Sequence, residues 1–260
     1  MRPSQPAYPW RLGATSFVLP ADIAGNVEYL APMVDDVQLL FFESAANSRL
    51  AQALDLEFLR CCAGEWGLSF TAHLPLDIRL GHRQREERCR GRAEILRLME
   101  VLAPLAPCCF DLHLVRETGL ALGQWQENLA VSLMELGREL GDSKKLVAVE
   151  NIDYPFGLVA PLVAEHGFSF CLDLGHLLHY GHGLEEIPGL LGRAAHVHYH
   201  GVRDNRDHQA LEDRQQAEQL GQWLAGAGYR GVVTLEVYSL ERLTASLALL
   251  DEAWQPYQGA

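Results

Sequence analysis

Short apolar runs alternating with longer helix-spaced stretches set the tightest limit on what this chain can fold into. The runs lie at 11–20, 35–44, 69–77, 109–116, 145–153, 169–176, 195–202 and 232–239. Between them the periodicity changes. Leu122, Trp125, Leu129, Leu133, Leu136 and Leu140 recur at three- and four-residue steps, as do Leu240, Leu243, Leu247, Leu250 and Trp254. Such spacing puts one apolar stripe on each helix, ready to cover a sheet. Gly67, Gly141, Gly167 and Gly228 stand just past helical segments, where a left-handed stop is wanted. Eight strand–helix units in 260 residues is the arithmetic of an α/β fold of the (β/α)8 TIM-barrel type. A doubly wound sheet would place a glycine-rich phosphate turn after its first strand. Here Ser16-Phe17-Val18-Leu19-Pro20 follows instead. No linker or short repeat divides the chain, so residues 1–260 read as one domain.

Charge narrows the partners. With 34 acidic and 21 basic side chains the formal charge is -13, which repels phosphate backbones and anionic membranes. General nucleic-acid binding is therefore not expected. No stretch reaches the roughly 18 apolar residues of a bilayer span, and no apolar run follows Arg2, so the reading is a cytoplasmic protein without a signal peptide. Cys61, Cys62, Cys89, Cys108, Cys109 and Cys171 form no C-x-x-C pair and read as reduced thiols, with Cys61, Cys109 and Cys171 in apolar surroundings that suit burial. The arginines between Arg83 and Arg97, mixed with glutamates, read as a solvated helix face. Trp125, Trp223 and Trp254 read as core.

Polar residues fall at one place in the repeat. The runs close on His73, His113, Glu150, Asp173-Leu-Gly-His176, His196-Val-His198-Tyr-His200 and Glu236, and Asp207-His208 follows the seventh run. In a barrel these ends converge on one mouth. A buried His, Asp or Glu is costly alone, so convergence implies a shared partner. Imidazoles with carboxylates suit divalent zinc, manganese or iron. Gly175 is read as easing the turn that brings His176 back. His196, deeper in its run, reads as structural, and His82, His166, His179 and His182 as solvated surface. Any one of the others could be a structural histidine or, for Asp173, a helix cap; a convergent set favours ligation. Arg203 and Arg206, beside His208, are candidates for phosphate contact. No G-x-S-x-G, P-loop or H-E-x-x-H is present.

The order His73, His113, Glu150, Asp173-x-x-His176, His198, His208, Glu236 resembles the xylose-isomerase-like barrels, especially the endonuclease IV branch, whose matching series binds up to three metals. One departure stands out. An Asp that the branch places two residues before the loop histidine is Arg206 here, which makes two ions the expected number and three the limit. Within the superfamily, Arg11-Leu-Gly-Ala-Thr-Ser16, Glu150-Asn-Ile-Asp-Tyr-Pro-Phe156, His198-Tyr-His-Gly201, Arg206-Asp-His208 and Leu235-Glu-Val-Tyr-Ser239 resemble the cobamide-remodelling phosphodiesterases. That resemblance implies hydrolysis of the cobamide nucleotide loop, with the ions acidifying a water and neutralising phosphoryl oxygens. It also implies Glu150 as a metal bridge and Glu236 as a ligand that holds the attacking water. His73 and His113 would serve one ion, and Asp173, His176, His198 and Glu236 its neighbours. His208 would bind metal or phosphate, and His200 is open between ligand and phosphate donor. Three rivals remain. A sugar or hydroxy-acid isomerase would need only Glu150, Asp173, His198 and Glu236. The others are a non-enzymatic corrinoid carrier and an abasic-site nuclease, the latter disfavoured by charge.

Overall fold

In the computed structural model, residues 8–44 and 54–254 are described; most of the N-terminal stretch read for a signal peptide, residues 1–7, lies outside them. The strands are β1 (Arg11–Thr15), β2 (Asp36–Leu40), β3 (Ser69–His73), β4 (Phe110–His113), β5 (Val147–Glu150), β6 (Ser169–Asp173) and β7 (Ala194–Tyr199). A small hairpin follows, β8 (Gly201–Arg203) with β9 (Arg206–Gln209), and then β10 (Val232–Leu235). Apart from the hairpin the strands are parallel and close in the order β1-β10-β7-β6-β5-β4-β3-β2. The expected TIM barrel is therefore the observed fold.

Around it lie α1 (Ile23–Leu30), α2 (Leu56–Trp66), α3 (Arg85–Leu102), α4 (Leu122–Leu140), α5 (Ala160–Glu165), α6 (Leu174–His179), α7 (Ile187–Leu190), α8 (Arg214–Gly226) and α9 (Leu240–Trp254). The stripes face inward as spaced: Trp125, Leu129, Leu133 and Leu136 of α4 and Leu243, Leu250 and Trp254 of α9 are buried. Trp223 is half-buried and packs on the same core. Asp22, Asp55 and Asp213 accept first-turn amide protons and so fix where α1, α2 and α8 begin. Gly67, Gly141, Gly167 and Gly228 all have positive φ, as their helix-stop reading requires.

Each apolar run outlasts its strand: 11–20 leaves the sheet after Thr15 and 232–239 after Leu235. The reason is that burial continues past the strand ends. Leu74, Leu114 and Val237 lie past the strand ends yet are buried, covering the barrel rim. Cys61 corrects another expectation, being exposed on α2 while Cys62 is buried; adjacent helical positions face different ways. Cys109 and Cys171 are buried, and all six thiols are free. Arg92 and Arg97 are half-buried rather than solvated, Arg92 reaching Glu135 of α4 at 2.8 Å. Among the described residues no helix is long and apolar enough to cross a membrane.

Candidate metal centre

Strand register brings the singled-out side chains to one level. His73, His113, Glu150 and Asp173 are the last residues of β3, β4, β5 and β6, and Glu236 follows β10 directly. The ladders pair His113 with Glu150 and Asp173 with His198. Glu150 sits at the middle. Its Oε2 lies 3.3 Å from His73 Nε2, 3.2 Å from His113 Nε2 and 3.4 Å from His198 Nδ1. Its Oε1 lies 3.2 Å from His176 Nδ1. His198 Nδ1 is 3.1 Å from Glu236 Oε2 and 3.8 Å from Asp173 Oδ2.

Two donor groups share Glu150: His73 and His113 with Glu150, and Asp173, His198 and Glu236 with Glu150, each with its donor atoms within 4.8 Å of one another. His176, His200 and His208 form a third group by the same measure. Orphaned atoms test whether ions fit. Both Glu150 oxygens, Asp173 Oδ2, Glu236 Oε2, His113 Nε2 and His198 Nδ1 are buried without a hydrogen bond. Such a set is expensive unless cations share it, and N and O donors of this kind suit divalent ions. The remaining atoms of the same residues are pinned. Asp173 Oδ1 accepts from the His176 amide at 2.9 Å, so Asp173 caps α6 as well as facing the centre. Tyr238 Oη donates to Glu236 Oε1 at 3.3 Å. Asn151 zips β5 to β6, its side chain donating to the Asp173 carbonyl and accepting from the Asp173 amide, both at 2.8 Å.

Burial and mutual charge set the protonation of the group. Burial opposes the Glu150 carboxylate, but the imidazoles of His113 and His198 outweigh it and hold its pKa well below the usual range. Glu236 is depressed in the same way, chiefly by His198, and Asp173 by His176 and His200. Burial likewise opposes a charged His73, yet Glu150 pushes its pKa up to about 9. Against the same penalty Asp173 and then Glu150 push His176 up to about 10.

Beneath the centre runs a polar layer that the sequence reading passed over. Asp111, fully buried in β4, accepts from His196 Nδ1 at 2.8 Å and Gln38 Nε2 at 3.0 Å. His196 Nε2 lies 2.7 Å from Thr234 Oγ1, and His196 also belongs to a fourth donor group with Asp111, Cys171 and His198. Gln38 Nε2 is also 2.8 Å from His198 Nε2. The signal was present: Asp111 and His113 are two apart on one strand and share a face, and a carboxylate inside an apolar run needs partners.

Elsewhere the structure revises the expectations. Gly175 makes no turn, since it lies within α6 without a positive φ; a Cβ there would fall 2.1 Å from the His200 ring, so its role is close approach. Arg206 and His208 lie not in a loop but on the β8–β9 hairpin, whose turn residues Asp204 and Asn205 have φ 52° and 56°, as a two-residue hairpin turn demands. His208 itself has φ 50°, a strained conformation for a histidine. Arg203 and Arg206 are exposed, and Arg203 pairs with Glu212 at 2.8 Å. His82, His166, His179 and His182 are half-buried rather than solvated; His82 Nδ1, for instance, accepts from the Gln84 amide. His73, His113, Glu150, His176, His208 and Glu236 line a cleft of about 380 Å³ together with Phe42, Leu76 and Tyr238.

Residues 34–253 match the family described as xylose isomerase-like TIM barrel. The chain belongs to that family. Solved structures of similar shape sit at low sequence identity to this xylose isomerase-like barrel. A D-tagatose 3-epimerase-like protein has TM-score 0.79 at 16% identity, over 95% of this chain and 97% of its own. A 3-keto-D-glucoside 4-epimerase from E. coli gives 0.74 at 17%, over 94% and 98%. An AP endonuclease of family 2 from Brucella melitensis gives 0.73 at 17%, over 95% and 98%. At such identities the likeness speaks for the xylose isomerase-like fold alone. No curated protein matches the chain in sequence.

Proposed function

We propose that the protein is a metal-dependent phosphodiesterase that opens the nucleotide loop of cobamides, releasing the lower-ligand nucleotide and a cobinamide-type product. The observation that carries the reading is Glu150, a fully buried carboxylate with both oxygens bare and shared by two donor groups. One carboxylate serving two groups supports two divalent ions, zinc or manganese before iron. His73, His113 and Glu150 would hold the first ion, and Glu150, Asp173, His198 and Glu236 the second. Bound there, the ions would supply Lewis acidity for attack at phosphorus and offset charge on the phosphoryl oxygens. The chain does the rest. Tyr238 donates to Glu236 Oε1, which leaves Oε2 beside His198. Phe42 and Leu76 add apolar surface to the same cleft. Arg206, on the hairpin that carries His208, would offer positive charge to the phosphodiester, while Arg203 is already paired with Glu212. The choice of a cobamide rests on the resemblance of the segments around Glu150, His198 and Glu236.

The second reading is a sugar epimerase, favoured by the likeness to the two epimerase structures and by the group Glu150, Asp173, His198 and Glu236, whose two glutamates could exchange a proton across a sugar carbon. The two readings part on His113. Purified protein is loaded with zinc, manganese or iron and incubated with a cobamide, and products are separated by chromatography. Cobinamide-type product, lost at least about a hundredfold in His113→Ala, supports hydrolysis. Intact cobamide under every metal, with ketose epimerisation that survives His113→Ala, overturns it.

A further inference from the structure

We propose that Phe17, Phe42 and Tyr238 form a stacking platform for a planar heteroaromatic base, the base of the nucleotide that the proposed reaction releases. The inference rests on the phosphodiester reading above and adds the part of the substrate that the metal centre does not touch. Its basis is the uneven use of the barrel mouth. Among the described residues, the four donor groups draw on β3 to β7, α6, the hairpin and the residues that follow β7 and β10. None of their members lies on β1 or β2. Beyond the ends of those two strands the chain places Phe17 and Phe42 instead, and Tyr238 stands two residues past Glu236, after β10. Strands β10, β1 and β2 are consecutive in the barrel, so the three rings make one arc. The Phe17 centroid lies 5.1 Å from that of Phe42 and 6.2 Å from that of Tyr238, and the last two are 6.5 Å apart.

The arc is open to solvent. Phe17 is 50% exposed and Phe42 37%, and two exposed rings in contact form a patch rather than a scattered residue. Leu76, 40% exposed, belongs to the same rim. The patch is continuous with the metal centre: Phe42 and Tyr238 line the cleft together with His73, Glu150 and Glu236, and the Tyr238 ring lies 4.7 Å from that of His208. A group stacked there sits beside a phosphate held by the ions. Chemistry selects the occupant. The three side chains carry one polar atom, Tyr238 Oη, and it is engaged with Glu236 Oε1 at 3.3 Å. A sugar would press hydroxyls without partners against these rings, whereas every heteroaromatic base has a π-face that aromatic side chains accept without hydrogen bonds. Size separates the base from the corrin macrocycle. A cleft of about 380 Å³ is at the low end for small-molecule sites, room for a base and a phosphate.

The test titrates zinc-loaded, full-length protein with adenosine monophosphate, ribose phosphate, D-fructose and cobinamide, each followed by calorimetry. Adenosine monophosphate is expected to bind about tenfold or more tightly than ribose phosphate. Phe17→Ala and Phe42→Ala should each weaken it by about five- to a hundredfold and leave ribose phosphate unchanged. Phe17→Trp keeps the preference, because a larger ring still stacks. Tyr29→Ala, which removes an aromatic side chain 44% exposed on α1, changes nothing. Equal affinity for the two phosphates, or a preference for the base that survives both alanine variants, overturns the proposal. So does a loss that falls on D-fructose or cobinamide in place of adenosine monophosphate. No turnover enters these measurements. If the base preference holds while cobamides stay intact under every metal, the phosphodiester reading fails and the platform stands. Cobamide cleavage without any effect of Phe17 or Phe42 on base binding upholds the phosphodiester reading and overturns the platform.

Discussion

At pH 7 charged imidazoles hold the carboxylates of the metal-free centre together, because His73 is raised to about 9 and His176 to about 10. Each ring must give up a proton to become a ligand. Metal uptake at pH 7 is therefore expected to release protons and to tighten as pH rises toward 9, which calorimetry in two buffers of different ionisation enthalpy measures directly. The same shifts bear on stability. Both histidines have folded pKa values above the unfolded value of about 6.5, so their contribution is complete below that pH and fades as pH climbs to about 10. Chelated protein should lose thermal stability over that window, and loaded protein much less. Asp111→Ala should cost about 3–5 kcal/mol in urea unfolding, since it strips a buried partner from His196 and Gln38. Gly175→Ala should cost about 1–3 kcal/mol and loosen metal binding, by pushing against His200. At this scale the sequence disclosed the ligating types, because a His or Glu inside an apolar run is conspicuous. It hid Gly175, whose reason is a ring 25 positions away in the chain, and Gln38, an uncharged side chain that stands out only once the barrel has closed.

Among elements, the hairpin is the one least anticipated. Short strands with a two-residue turn leave little apolar pattern, so β8 and β9 look like loop; the clue was Asp204-Asn205, two residues tolerant of positive φ. The hairpin's base depends on Gly201, where a Cβ would lie 2.0 Å from the Ala210 carbonyl oxygen. Gly201→Ala should therefore spread the hairpin and shift His208 while leaving the barrel intact. The expected outcome is an unchanged far-ultraviolet spectrum, with the proposed cobamide hydrolysis reduced about ten- to a hundredfold. Barrel strands behaved differently. Their beginnings were legible from the onset of apolar residues, but their ends were not, because Leu74, Leu114 and Val237 go on burying surface past the strand ends.

For the whole molecule the repeat decided the architecture, since eight alternations leave few ways to cover every apolar face. The charge of -13 argues against a nucleic-acid partner, while bound cations would reverse the potential at the mouth and let an anionic phosphodiester approach. Removing them should be felt globally: at ion concentrations about a hundred times Kd, binding adds about 2.7 kcal/mol. Chelation should therefore lower Tm by roughly 5–10 °C, as scanning calorimetry with and without a chelator would show. The barrel is closed by β1 against β10, with Thr15 Oγ1 donating to the Val237 carbonyl at 2.8 Å. That closure orders events during synthesis. Glu236 is carried just beyond the last barrel strand, so a nascent chain already displays His73 through His208 before the final carboxylate has left the ribosome. Only synthesis through β10 to Glu236 closes the ring and completes the second donor group, Glu150, Asp173, His198 and Glu236.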